Sequence, residues 1–145
     1  EKIKNASSET DALQAATELF GKKGAAEMTQ AIREGRQVVN STSHMTYINK
    51  GYDKLPLSRS YSFEPVFAGL NPEQQKNVIG LGCQVWTEWI ADVEKLHRHV
   101  FPRIAAYAET GWTRKEDKNF QDFRRRLTGY EKILDAQGIR HGEKE

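Results

Sequence analysis

The stretch Trp86-Thr87-Glu88-Trp89 carries side chains that could do chemistry. Two indoles bracket a carboxylate, and all three groups are costly to bury unless their polar atoms find partners. An aromatic face with an acid two residues away suits a sugar. The ring packs on the apolar C–H face of a pyranose while the carboxylate takes two hydroxyls. The plainer reading is a core tryptophan closing a strand, and the residues alone favour it slightly. A second candidate lies in Thr46-Tyr47-Ile48-Asn49. Tyr47 follows the end of an expected strand by about seven residues, in the kind of loop where α/β barrels hold their chemistry. By itself it reads as a half-buried loop tyrosine.

Other reactive side chains read as structural. His97 and His99 are two apart on an expected helix and do not face each other, so a metal site is not expected there. His44 sits in the same loop as Tyr47 with no partner visible in the sequence. Arg124-Arg125-Arg126 has Asp122 and Glu131 nearby and reads as a solvated helix face. Cys83 lies among small apolar residues, as an inert buried thiol would. Gly21-Lys22-Lys23-Gly24 lacks the spacing and the Ser/Thr of a phosphate loop.

The elements that must position these residues follow from periodicity and punctuation. Residues 80–90 begin as a strand, with Leu81, Cys83 and Val85 alternating and Gly80 and Gly82 suited to close backbone approach. Upstream, residues 1–10 are polar and expected to fray. Residues 11–20 carry Leu13, Ala16 and Phe20 at helical spacing, with Thr10 or Asp11 as cap. Gly21 and Gly24 are expected to break that helix. A second helix then spans 25–34 on Ala25, Met28, Ala31 and Ile32, stopped by Gly35, and a short strand spans 36–40. Residues 41–60 read as a long loop and 62–66 as a turn. Asn71 and Pro72 open a short helix. Asp92 caps another, bearing Val93, Leu96 and Val100, and Pro102 restarts it towards Trp112. Ala105, Ala106 and Ala108 offer a small-residue face for a sheet. Residues 119–137 form the last helix, with Phe120, Phe123, Leu127, Tyr130, Ile133 and Leu134 at period 3.6, ended by Gly138.

This order is α/β. With 145 residues the chain suits one domain with a real core. Twenty-two basic against 20 acidic residues leave +2, which argues against a dedicated nucleic-acid binder. No apolar run reaches the length of a membrane span. The chain opens at Glu1, which suggests excision from a longer polypeptide. With so few strands, a free-standing sheet would expose both edges.

Three separated motifs change the balance for the tryptophans. They are Tyr61-Ser62-Phe63-Glu64-Pro65, the run from Gly80 to Trp89, and Phe101-Pro102-Arg103-Ile104-Ala105-Ala106-Tyr107-Ala108-Glu109-Thr110-Gly111-Trp112-Thr113. In this order and spacing they closely resemble the C-terminal end of the catalytic barrel of family 20 glycoside hydrolases, the β-N-acetylhexosaminidases. The resemblance implies a C-terminal fragment of a (β/α)8 TIM barrel, with few parallel strands and packed helices. Residues 1–23 match poorly, 24–139 correspond to C-terminal β/α units, and 140–145 form a polar tail. Trp86-Thr87-Glu88 matches a family signature. It implies that Trp86 lines the pocket for the terminal N-acetyl sugar and that Glu88 accepts from outer hydroxyls, while Trp89 is wall or core. Tyr47 would donate its hydroxyl to the substrate's acetamido oxygen. Asn49 stands where the family usually has a sugar-binding aspartate. An amide still hydrogen-bonds a hydroxyl but carries no charge.

The family uses the substrate's own acetamido group as nucleophile, assisted by an adjacent Asp-Glu pair. No Asp-Glu dipeptide occurs in this chain. The resemblance thus implies the far wall of a sugar pocket in an enzyme acting on N-acetylglucosamine- or N-acetylgalactosamine-containing glycans, with no turnover by the chain alone. No cofactor, metal or nucleic acid is expected. A periplasmic, lysosomal or secreted location would follow from the family. Two other readings stand beside this one: a small α/β interaction module, and a carbohydrate-binding module without catalysis. Exposed sheet edges lead to the expectation that the isolated chain self-associates.

Overall fold

The structure, a computed structural model, describes residues 9–142, with side chains described from residue 21 onward. Helix α1 spans Glu9–Arg33. It is followed by strand β1 (Val38–Asn40) and the short helices α2 (Ser43–Thr46), α3 (Leu57–Tyr61) and α4 (Pro72–Gln75). Strand β2 is Val78–Leu81, and α5 (Val93–Val100) and α6 (Arg103–Trp112) come next. A 3-10 turn at Lys115–Asp117 leads into α7 (Phe120–Ala136).

The expected break at Gly21-Lys22-Lys23-Gly24 does not occur, because α1 runs straight through it. A helical glycine costs only about 1 kcal/mol against alanine, and here it serves packing. A Cβ on Gly21 would lie 2.6 Å from His44 Nδ1, so the glycine lets α1 close onto α2. Thr10 and Asp11, expected as caps, lie inside the helix. The stripe at Leu13, Ala16 and Phe20, the frayed start and the end of the polar tail fall on side chains or residues outside those described. The C-terminal half agrees with its pattern: Ile32 is buried, and Ala25, Met28 and Ala31 are half-buried. Gly35, at φ +83°, ends it. Arg36 N–H then reaches back to the Ala31 carbonyl and Gly35 N–H to Ile32, satisfying carbonyls the helix leaves open.

Strands β1 and β2 pair in parallel, with Val39 opposite Gly80 and Asn40 opposite Leu81. Paired residues share a face. On one face Asn40 is buried, and Leu81 packs with Cys83 and Val85 on a core of Ile48, Leu55, Phe63 and Tyr107. On the other, Val39 is 49% exposed and a Cβ on Gly80 would meet nothing within 4 Å. Ile79 is likewise 57% exposed, so apolar side chains of both strands stay uncovered, and each strand has an unpaired outer edge among the described residues. Gly80 thus has no close neighbour to explain it, whereas a Cβ on Gly82 would fall 2.6 Å from Ser41 Oγ. The Cys83 thiol is pushed up to about 11 by burial. Little nucleophilic thiolate is therefore present near neutral pH.

The segment 41–60, expected as a loop, holds α2 and most of α3 and contributes Ile48, Leu55 and Leu57 to the core. Helices of four or five residues are too short to show a period. A second core joins Leu57 and Tyr61 of α3, Ala106 of α6, and Phe123 and Leu127 of α7. Each such large apolar side chain contributes about 1.5–3 kcal/mol on full burial. The small-residue face of α6 accordingly meets helices rather than the sheet, and Ala108 stays exposed. Val93 and Ile133, expected on buried stripes, are also exposed. The expected caps Asn71 and Asp92 accept from the N–H groups of Gln74 and Lys95, and Asn119, expected as the first residue of the last helix, is its cap and accepts from Asp122 N–H.

Tyr61 locks α3, α6 and α7 together. Its ring stacks on Phe123 at 4.7 Å between centroids. Its hydroxyl donates to Glu109 Oε1 at 2.9 Å and accepts from Asn119 N–H at 2.9 Å. Arg126 grips both oxygens of the same Glu109. Tyr61→Phe keeps the stacking and removes both polar links, so we expect a loss of about 1–3 kcal/mol in urea unfolding. An unchanged midpoint would show that these bonds do not hold α7.

Candidate functional site

The two sequence candidates come from separate elements that backbone pairing brings together. Asn40 ends β1 and turns the chain: its Oδ1 accepts from Thr42 N–H at 3.2 Å and Thr42 Oγ1 at 2.5 Å, and its Nδ2 donates to Pro65 O. Such local bonding by Asn is a turn device. Helix α2 follows, and Tyr47 caps its end. There the chain rejoins the β2 strand line. Gln84 N–H donates to Thr46 O and Ile48 N–H to Gln84 O, each at 3.0 Å, forming a parallel bridge between Tyr47 and Gln84. Thr46, fully buried, also donates its hydroxyl to Gln84 Oε1 at 2.8 Å. Trp86 stands two residues beyond Gln84, so the bridge sets its distance from Tyr47.

The two rings lie 6.2 Å apart between centroids, tilted by 49°. Trp86 is 50% exposed, which removes the plainer reading of it as a closed core residue. A half-open indole beside a phenol offers an apolar ring face and a hydroxyl to one ligand. Asn49 follows on the same segment. Its Oδ1 is buried and accepts no hydrogen bond among the described residues. The neighbouring Lys50 donates to Ser43 O at 3.1 Å. Burial first, then Arg59 and Lys54, holds its ammonium below the usual lysine range.

Glu88 and Trp89 lie on a turn beyond the strand line, where Ile90 N–H bonds to Thr87 O. Both are exposed. No hydrogen bond or ion pair ties Glu88 among the described residues, so the chain brings the rings of Tyr47 and Trp86 together, carries Asn49 two residues after Tyr47, and leaves Glu88 exposed. His97 lies edge-on to Phe101, while His99 Nδ1 lies 3.3 Å from Arg103, so the two histidines act separately. Arg125 and Arg126 pair with Asp122, as a solvated face would. Among the described residues, no three His, Cys, Asp or Glu side chains gather as a metal site would require. No described helix is long and apolar enough to cross a membrane.

Sequence reading missed Asn40, Thr46 and Gln84, the residues whose hydrogen bonds hold the Tyr47 segment against the strand line. Their signal is weak, since a buried Asn or Gln in a short strand looks like any polar residue. A groove of about 530 Å³ opens elsewhere, between α6 and α7. It is lined by Ala105, Ala108, Trp112, Phe123 and Tyr130 among others, and by none of the sugar-site candidates.

Comparison with known proteins adds the family. The β-N-acetylhexosaminidase of Cellulomonas fimi is 30% identical over 128 residues, covering 79% of this chain and 25% of that protein. A β-hexosaminidase of Porphyromonas gingivalis is 33% identical over 86 residues, 59% of this chain and 11% of its own length. In structure, the GH20 β-N-acetylhexosaminidase of Streptomyces coelicolor superposes with a TM-score of 0.74 at 26% identity, over 85% of this chain and 27% of that one. The GH20 exo-β-N-acetylglucosaminidase of Vibrio harveyi, in complex with N-acetylglucosamine, gives 0.73 at 28%, over 82% and 21%. The chain thus spans about a quarter or less of these relatives, and its fold is part of their (β/α)8 barrel. The model of glycosyl hydrolase family 20, catalytic domain, matches residues 2–115, well over half of the chain, and the chain belongs to that family.

Proposed function

We propose that this chain forms one wall of the sugar pocket in a β-N-acetylhexosaminidase that removes terminal non-reducing N-acetylhexosamine residues. The carrying observation is the Tyr47–Trp86 pair, 6.2 Å apart and set by the Tyr47–Gln84 bridge. Trp86 supplies the face on which the pyranose ring lies. Tyr47 donates to the acetamido oxygen, Asn49 hydrogen-bonds a hydroxyl, and Glu88 accepts from outer hydroxyls. The reaction is retaining and substrate-assisted, so no protein nucleophile is required. The general acid lies outside this chain, which has no Asp-Glu pair. Residues 24–139 are the C-terminal β/α units in this reading, preceded by 1–23 and followed by the tail 140–145.

Glu88→Gln in the intact enzyme should lower kcat/KM on an N-acetylglucosaminide. Loss of a charge-assisted hydrogen bond costs on the order of 1.5–3 kcal/mol, roughly ten- to a hundredfold. Unchanged kinetics would remove Glu88 from the site. Tyr47→Phe should depress kcat more than it raises KM, because the acetamido oxygen becomes a nucleophile only as the transition state forms. A rise in KM at constant kcat would leave Tyr47 a binding residue only.

The isolated chain should show no hexosaminidase turnover and should self-associate. The exposed Val39 and Ile79 and the two unpaired strand edges among the described residues support this, since unpaired edges template pairing. Light scattering after size exclusion reads the mass. A monomer that melts cooperatively would contradict the association.

A further inference from the structure

Arg103 is 0% exposed, and among the described residues no carboxylate neutralises it. A buried charge persists only where hydrogen bonds replace its hydration. Here the guanidinium donates into four backbone carbonyls. Nη2 reaches Ile48 O at 2.5 Å. Nη1 reaches Lys50 O at 2.8 Å and Leu55 O at 3.1 Å. Nε and Nη2 both reach His99 O, at 3.0 and 2.6 Å. The Tyr52 ring lies 4.2 Å from the guanidinium carbon, a cation–π contact, and the Tyr52 hydroxyl donates to Phe101 O at 2.9 Å.

Two of these carbonyls, Ile48 and Lys50, stand on either side of Asn49. The same short segment is tied to the strand line through Gln84, one residue after Tyr47. It is therefore gripped from both sides, by the sheet and by Arg103. The His99 carbonyl belongs to the last turn of α5, where open carbonyls and the helix dipole both favour a cation. Arg103 thus fastens the loop to the end of a helix rather than to another loop.

We propose that Arg103 is a positioning residue of the sugar site. It fixes the backbone of residues 47–50 so that the Tyr47 hydroxyl and the Asn49 amide meet the substrate at set places. This rests on the reading of Tyr47 and Asn49 as sugar-binding residues. Lysine cannot substitute, because an ammonium lacks the planar fork that reaches three separate loop carbonyls at once.

Arg103→Lys in the intact enzyme tests this, with Tyr47→Phe and Glu88→Gln measured alongside. The expected result is a folded protein whose KM for a chromogenic N-acetylglucosaminide rises and whose kcat per folded molecule falls. Their ratio should drop roughly ten- to a hundredfold, as small misplacements of binding groups do. A merely structural role would lower the folded fraction and leave the KM of the remaining enzyme unchanged; that result overturns the proposal. If Tyr47→Phe and Glu88→Gln are both silent, the sugar-site reading itself has failed. If they are not, and Arg103→Lys is, Arg103 alone is excluded. Should Arg103→Lys not fold, hydrogen exchange of the unaltered enzyme decides. Amides of Ile48, Lys50 and Leu55 should be as protected as those of α6, and exchange a hundredfold faster would overturn the proposal.

Discussion

The Arg103 guanidinium joins the adjoining ends of α5 and α6 to a segment about fifty residues earlier in the chain. It sits at the first turn of α6, closes the last turn of α5 through His99 O, and holds the 48–55 segment through three carbonyls. Burial draws its pKa down, and the phenols of Tyr52 and Tyr107 oppose that shift. Arginine stays charged in such a place because its intrinsic basicity is so high. Two more anchors lie beside it. Tyr107 donates to Met45 O from α6, and Tyr52 donates to Phe101 O. Gly142 N–H also reaches Phe101 O at 2.7 Å, bringing the end of the described chain back to this point.

These bonds explain how a segment with little regular structure is held in one place. Residues 47–55 have no strand ladder beyond one bridge, yet Ile48 and Leu55 are fully enclosed. Apolar side chains point into the core while the backbone carbonyls behind them go to a single cation. The outer core of Tyr61, Phe123 and Leu127 serves a different end, fastening α7 to α6. The groove left between those helices, with Trp112 92% exposed at its margin, belongs to this outer layer.

Much of this was legible in the sequence, for definite reasons. Asn71-Pro72 and Asp92 announced helix starts because a cap is a local, one-residue event. Leu81, Cys83 and Val85 announced a strand line by alternation, although regular pairing stops at Leu81 and resumes only as the bridge at Gln84. Trp86 and Tyr47 were singled out by residue type and motif, and the fold places their rings side by side. What stayed hidden depends on distant partners. Gly21 looked like a helix break because the His44 ring that needs its space is more than twenty residues away. The segment 41–60 looked like loop because its two helices are each under two turns long. The small face of α6 was legible as a close-packing face, but not that α3 and α7 rather than the sheet would cover it. Arg103 looked like any charged residue after a proline, since nothing local reveals that its partners are carbonyls of residues 48, 50 and 55.

The proposed sugar wall depends on what Tyr47 and Trp86 touch. A crystal structure of the full-length protein soaked with N-acetylglucosamine tests it most directly. The pyranose ring is expected on the Trp86 indole at about 4 Å, van der Waals contact. The acetamido oxygen is expected about 2.7 Å from the Tyr47 hydroxyl, a normal O–H···O distance. Sugar bound elsewhere, with Tyr47 and Trp86 free of it, would rule out the proposed wall.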